Sequence, residues 1–361
     1  MLRLSSIFLQ RFPRFALASA GVVLSFSWAS CRSDPSESQA MKESENWKAF
    51  KDGFIAPSGR VIDNVNHAMS HSEGQGYAML LAVSERDRTT FDRVWGWTQT
   101  ALQSRPSDAL ISWKWELGEN GSGKITDANN ATDGDILVAW ALVRANVVWG
   151  EVSYLDEARK ICSSIRETVV RDSPYGKVIL PGAEGFENDD GIVLNLSYWV
   201  FPAFLDLNLS DPEFGLWSQL YESGQRLLSE AAFGEYELPS DWVALNGEAL
   251  SPAPDFEPAF GYNAIRIPLY LKWSEGEGAQ DYLARYSRLQ EEWESVPARI
   301  SVSNEVIDSE PAPIGMQEVL SYASADLNSP IEFLDRPMDP DSGYYSSVLQ
   351  LLTRLAVLEQ A

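Results

Sequence analysis

Apolar residues in this chain recur at helical spacing, and that recurrence limits its fold more than any other feature. Phe91, Val94, Trp95 and Leu102 fall on one face, as do Ile136, Ala139, Trp140 and Val143 in a run reaching about Trp149. Tyr154, Ala158, Ile161, Ile165 and Val169 form another stripe. Leu216, Leu220, Leu227 and Leu228 form the next, and residues 345–358 the last. Period-two alternation, the mark of a half-buried strand, is scarce. Between the stripes run segments 104–133, 182–194, 234–262 and 324–344, crowded with Gly, Pro, Trp, Asp and Asn. Loops of that length persist in a compact domain when they build a site. The chain therefore reads as all-α: a helical barrel whose long loops form a cleft at one end.

Composition narrows the partners. The 361 residues suffice for one large domain or two small ones, and 45% apolar with 22% charged residues is an ordinary globular balance. A formal net charge of −24 excludes nucleic acid, because phosphate binding needs a basic surface, and leaves a neutral or cationic polymer. Thirteen Trp, thirteen Tyr and fifteen Phe are a heavy aromatic load. Most fill the core, but a flat ring with a polar tip also stacks on sugars.

The N-terminal residues form a separate object. Arg3, Arg11 and Arg14 precede an apolar run from Phe15 to Ala29 that is too short to span a bilayer comfortably. Residues 1–30 read as an export signal peptide. Cys31, after Trp-Ala-Ser, is a candidate lipid-attachment site, with ordinary cleavage nearby as the alternative. Residues 31–44, rich in Ser, Glu and Asp, read as a flexible tether, and 45–361 as the folded domain. Cys162 lies in a helical pattern and is expected as a buried free thiol, so no cysteine metal site is available.

Three constellations carry chemistry. In Ser-His-Ser-Glu-Gly-Gln-Gly-Tyr (70–77), a carboxylate stands where an apolar helix begins. A plain capping role, Ser72 as cap and Glu73 complementing the dipole, competes with a proton donor in a cleft. As a donor, Glu73 needs burial or a neighbouring carboxylate to hold its proton against the helix dipole. Residues 113–135 begin Trp-Lys-Trp and end Ile-Thr-Asp-Ala-Asn-Asn-Ala-Thr-Asp-Gly-Asp, more acidic residues than capping requires. In Phe-Gly-Tyr-Asn-Ala-Ile-Arg-Ile-Pro-Leu (260–269), an arginine inside an apolar run implies a partner anion or a cleft position. His67 and His71 are spaced i, i+4, but no further ligand pattern accompanies them, and they read as polar loop residues.

Together these motifs resemble glycoside hydrolase family 8, the family of bacterial endoglucanases with some chitosanases and xylanases. The resemblance spans nearly the whole domain. It includes Gly-Arg-Val-Ile-Asp-Asn (59–64), Glu-Gly-Gln-Gly-Tyr (73–77), Thr-Asp-Gly-Asp (132–135) and Asn-Leu-Ser-Tyr (195–198). It continues through Leu-Pro-Ser-Asp-Trp (238–242), Tyr-Asn-Ala-Ile-Arg (262–266) and Gly-Tyr-Tyr (343–345). It implies an (α/α)6 barrel with an open cleft and inversion at the anomeric carbon. Inversion uses two carboxyl groups roughly 6.5–9.5 Å apart, one protonating the leaving oxygen and one activating water.

Carried over position by position, the resemblance makes Glu73 the general acid and Asp133 the aspartate that holds the distorted sugar. Trp113, with Trp115 as the alternative, becomes a stacking residue. Tyr262 and Arg266 flank the water side, and Tyr345 joins the substrate-binding set. Asn263 departs from the cellulase-type pattern, which has the aspartate base there, and an amide cannot take a proton. Candidates for the base are Asp255 and Glu257 on the preceding loop, Glu248 further back, and Asp133 itself. The leading expectation is an endo-acting β-1,4-glucanase of cellulase type, with no cofactor or metal, acting on a polysaccharide as a monomer. Chitosan or xylan as substrate, or a sugar-binding protein that lost catalysis through Asn263, are the alternatives.

Overall fold

In chain order the helices are α1 (Glu45–Phe54), α2 (Ser72–Ser84), α3 (Arg88–Ala101), α4 (Thr132–Trp149), α5 (Val152–Thr168) and α6 (Phe201–Ser210). They continue with α7 (Leu216–Glu230), α8 (Arg266–Glu275), α9 (Gln280–Glu292), α10 (Ile314–Ser324) and α11 (Tyr344–Gln360). The computed structural model describes residues 44–118, 121–211, 215–275, 279–302, 310–326, 329 and 331–360. The expected signal peptide, the candidate lipid-attachment site Cys31 and the expected tether up to residue 43 lie outside the described residues.

Burial separates two kinds of helix. α1, α3, α5, α7 and α9 bury one stripe each, such as Phe91, Val94 and Trp95 on α3 or Tyr154, Ala158, Ile161 and Ile165 on α5. α2, α4, α8 and α11 are buried nearly all round, α2 and α4 through long apolar runs and α8 and α11 with buried polar residues such as Arg266 and Arg354 among the apolar ones. Among the described residues, α2 packs on α4, α4 on α6, α6 on α8, α8 on α10, α10 on α11, and α11 back on α2. That closes an inner ring. The stripe-bearing helices pack outside it: α3 on α2, α5 on α4, α7 on α6, α9 on α10 and α1 on α11. The arrangement is the (α/α)6 barrel that the motifs imply. Cys162 is buried in α5 as expected.

Helix ends follow local chemistry. The Ser44 side chain accepts from Trp47 N to open α1, Asp87 accepts from Thr90 N to open α3, and Gly150 closes α4 at φ 70°. The opening of α2 corrects the sequence reading. Its cap is His71, whose Nδ1 accepts from Gly74 N at 3.0 Å, while Ser72 lies inside the first turn with its hydroxyl buried. A histidine ring reaches the third N–H as an Asp side chain does, but nothing in its residue type announces it.

The long loops are less irregular than expected. Residues 112–117 and 123–130 form an antiparallel hairpin to which Ser70–His71 adds a third strand. Residues 187–188, 191–194, 243–246 and 249–252 form a four-stranded sheet, and 170–173 pairs with 176–179. These strands are short, and only Trp-Lys-Trp-Glu (113–116) alternates visibly. The strands at 70–71 and 112–117 pack on α2, and the strand at 176–179 on α7.

α2 and α4 cross where both begin, and the crossing leaves no room at Gly134. A Cβ built there lies 2.2 Å from Ser72 Oγ and 2.8 Å from Glu73 N. Gly134→Ala is therefore expected to cost about 1–3 kcal/mol through overpacking. Because the backbone displaced belongs to Glu73, kcat should fall further than stability does. Urea unfolding together with turnover on soluble substrate checks both.

Candidate active site

Three inner helices begin at one place. Glu73 and Asp133 each stand second in their helices, α2 and α4, and Arg266 opens α8. The guanidinium of Arg266, 3% exposed, lies between the two carboxyl groups. Its Nη1 donates to Asp133 Oδ2 at 2.8 Å and to Glu73 Oε1. Nη2 donates to Ser197 Oγ at 2.8 Å and to Asn263 Oδ1 at 3.1 Å. A planar fork with fixed donors suits this work in a way that a lysine does not. The arginine in an apolar run thus has the anions that its position demanded.

Tyr77, one turn after Glu73, donates to Glu73 Oε1 at 3.2 Å and shares a 2.6 Å hydrogen bond with Tyr270. His71 places Nδ1 3.7 Å from Glu73 Oε2 and Nε2 3.8 Å from Asp63 Oδ2. Burial pushes the Asp133 carboxyl up to about 7, and the nearby Asp135 adds to this, while the Gly134 N–H opposes it. Burial thus lets Asp133 retain a proton near neutral pH, against the pull of the Arg266 guanidinium beside it.

Asn263 sits in a chain of amides. Its Oδ1 accepts from Arg266 Nη2 and from Asn195 Nδ2 at 3.0 Å. Asp241 accepts the N–H groups of Gly261, Asn263 and Ala264 at 3.0, 3.2 and 2.7 Å, all through Oδ1. Tyr262, 41% exposed, and Tyr345 lie with ring centroids 6.1 Å apart, and the Tyr345 hydroxyl donates to Tyr262 O at 2.5 Å.

The two hairpin tryptophans differ. Trp115 packs edge-on against Trp97, under the Arg60 guanidinium at 4.9 Å, and against Gly123, where an added Cβ would meet its ring. Trp113 is partly exposed, with the Lys114 ammonium 5.6 Å from its ring. Asp255, Glu257 and Glu248 are exposed, and Glu257 pairs with Arg299.

Glu73, Asp133, Asn263 and Arg266 thus converge, with Tyr262 and Tyr345 close by. Sequence reasoning gave no role to Tyr77, Tyr270, His71, Asn195, Ser197 or Asp241. Tyr77 was accessible from its i+4 spacing to Glu73. The others depend on contacts between distant segments.

Two carboxyl groups held on one guanidinium where three barrel helices begin, beside partly exposed aromatic rings, suit the acid chemistry of a glycoside hydrolase. Comparison with known proteins gives the family. The chain belongs to glycosyl hydrolases family 8, whose family model matches residues 22–358. It is 37% identical over 324 residues to a probable endoglucanase of Novacetimonas hansenii, covering 88% of this chain and 91% of that one. An endoglucanase of Cellulomonas uda is 38% identical over 293 residues, 79% of this chain and 78% of that one. A crystal structure of a family 8 endoglucanase from Klebsiella pneumoniae superposes with a TM-score of 0.81 at 36% identity, covering 88% of this chain and 100% of that one.

Proposed function

We propose that this glycoside hydrolase is an inverting endo-β-1,4-glucanase of cellulase type in which Glu73 protonates the leaving oxygen. The observation that carries the reading is Glu73 and Asp133 held on the single guanidinium of Arg266. The endoglucanase relatives at 37% and 38% identity supply the substrate class. Asp133, buried beside the acid, holds the sugar ring distorted at the point of cleavage. Trp113, Tyr262 and Tyr345 offer rings and hydroxyls to neighbouring sugars. We also infer export, on the basic start and apolar run of residues 1–30, with Cys31 as a lipid-attachment site. Mass analysis of the mature N-terminus tests that point.

Assays on soluble cellulose, mixed-linkage glucan, chitosan and xylan test the substrate. Soluble cellulose should lose viscosity well before reducing ends accumulate, the signature of internal cuts. Faster release from chitosan or xylan than from either glucan would reassign the substrate. Retardation in a polysaccharide gel without release of ends would make the chain a binding protein.

A further inference from the structure

An inverting enzyme needs a base, and Asn263 cannot be one. Its amide oxygen is occupied by two donors, Arg266 Nη2 and Asn195 Nδ2, which turns the amide N–H groups the other way. On that side lies the Asp241 carboxylate, which receives a hydrogen bond from the Asn263 side chain. We infer that Asp241 is the general base of this enzyme, taking the proton from the hydrolytic water in place of the residue at 263. The inference rests on the reading of Glu73 as the acid of an inverting hydrolase.

Five observations support it. Asp241 belongs to the same site, since it accepts the Asn263 N–H at 3.2 Å while the Asn263 side chain meets Arg266 at 3.1 Å. It is only partly buried, so water has access. Its position is rigid, because three backbone N–H groups hold Oδ1 against the turn that leads into α8. None of those three bonds uses Oδ2, which faces Gly261, where a side chain would intrude at 3.0 Å. Burial raises its carboxyl to about 6, so it is ionised at neutral pH yet more basic than an ordinary aspartate. The exposed Asp255, Glu257 and Glu248 have no such setting.

The step balances. As the water oxygen bonds to the anomeric carbon, one water proton passes to Asp241. The bond from that carbon to the glycosidic oxygen breaks, its electron pair stays on the oxygen, and that oxygen takes the proton of Glu73. Asp241 ends protonated and Glu73 ionised, and solvent exchange resets both.

Asp241→Asn is the decisive variant, because an amide oxygen still accepts the three backbone N–H groups and preserves the turn. Its kcat on soluble cellulose should drop by roughly 10²–10⁴-fold with KM within about threefold, the range of a lost general base. The wild-type fall in kcat/KM below about pH 6, where Asp241 gains a proton, should vanish with it. In Asp241→Ala, azide should restore turnover and yield a glycosyl azide of inverted configuration. The double variant Asp241→Asn with Asn263→Asp should regain activity, since a carboxylate returns to the water side; a merely structural role for Asp241 predicts no such recovery. Activity of Asp241→Asn within threefold of wild type, or azide rescue of Asp255→Ala or Glu257→Ala instead, would overturn the assignment. If Glu73→Gln is inactive while Asp241→Asn is active, the site reading stands and only this inference fails. If both are active, the site reading itself fails.

Discussion

Replacing Glu73 by Gln should abolish hydrolysis of soluble cellulose while leaving binding nearly intact. Glutamine keeps the shape and an acceptor for Tyr77 and Arg266, but it has no proton to give to the leaving oxygen. Loss of a general acid lowers kcat by roughly 10²–10⁴-fold. The leaving group provides a sharper check. An aryl glycoside whose phenolate leaves unprotonated needs no acid, so the variant should retain far more activity on it than on cellulose. Retardation in a polysaccharide gel should match wild type. Equal losses on both substrates would place Glu73 in binding or folding instead.

Arg266→Met should be strongly destabilising. The side chain is buried and bonded to Glu73, Asp133, Ser197 and Asn263. Methionine fills the volume but leaves two carboxyl groups facing each other with no cation. Breaking a buried pair by removing one partner costs about 3–5 kcal/mol. Its pH dependence follows from the sign of linkage. Without the guanidinium, the native carboxyl groups hold protons more tightly than they do in the unfolded chain. The native state then binds more protons, so stability rises as pH falls. Urea unfolding at pH 7 and pH 5 should show the deficit shrinking at the lower value. A deficit below about 1 kcal/mol at pH 7 would show that the guanidinium is not what holds the pair.

Much of the barrel is legible in the sequence because inner and outer helices obey different patterns. The stripes of α3, α5 and α7 stand out, and α4 is apolar without interruption from Ile136 to Val143. α8 is harder to read, since it opens on a charged residue and carries Pro268 within its first turn. The strands at 187–194 and 243–252 run two to four residues each, too short for alternation to register. At the site, Glu73 and Asp133 were accessible as carboxylates placed at helix starts. What joins them was not. Asn195 meets Asn263 across 68 positions and Arg266 reaches Glu73 across 193, and no local pattern encodes such distances. The cap of α2 is hidden for a simpler reason: Ser72 is the commoner capping type, yet His71 beside it takes the role.

The shared starting point of α2, α4 and α8 also shapes the field that a polymer meets. Each helix presents the positive end of its peptide dipole there, equivalent to roughly half an elementary charge per helix. In a molecule with a formal charge of −24, these three helix ends and Arg266 set positive charge directly against Glu73 and Asp133. The negative charge of the whole chain repels long anionic polymers. Uncharged glucan feels no such barrier, so the acidity of the chain acts as a sieve on charge and leaves recognition to shape.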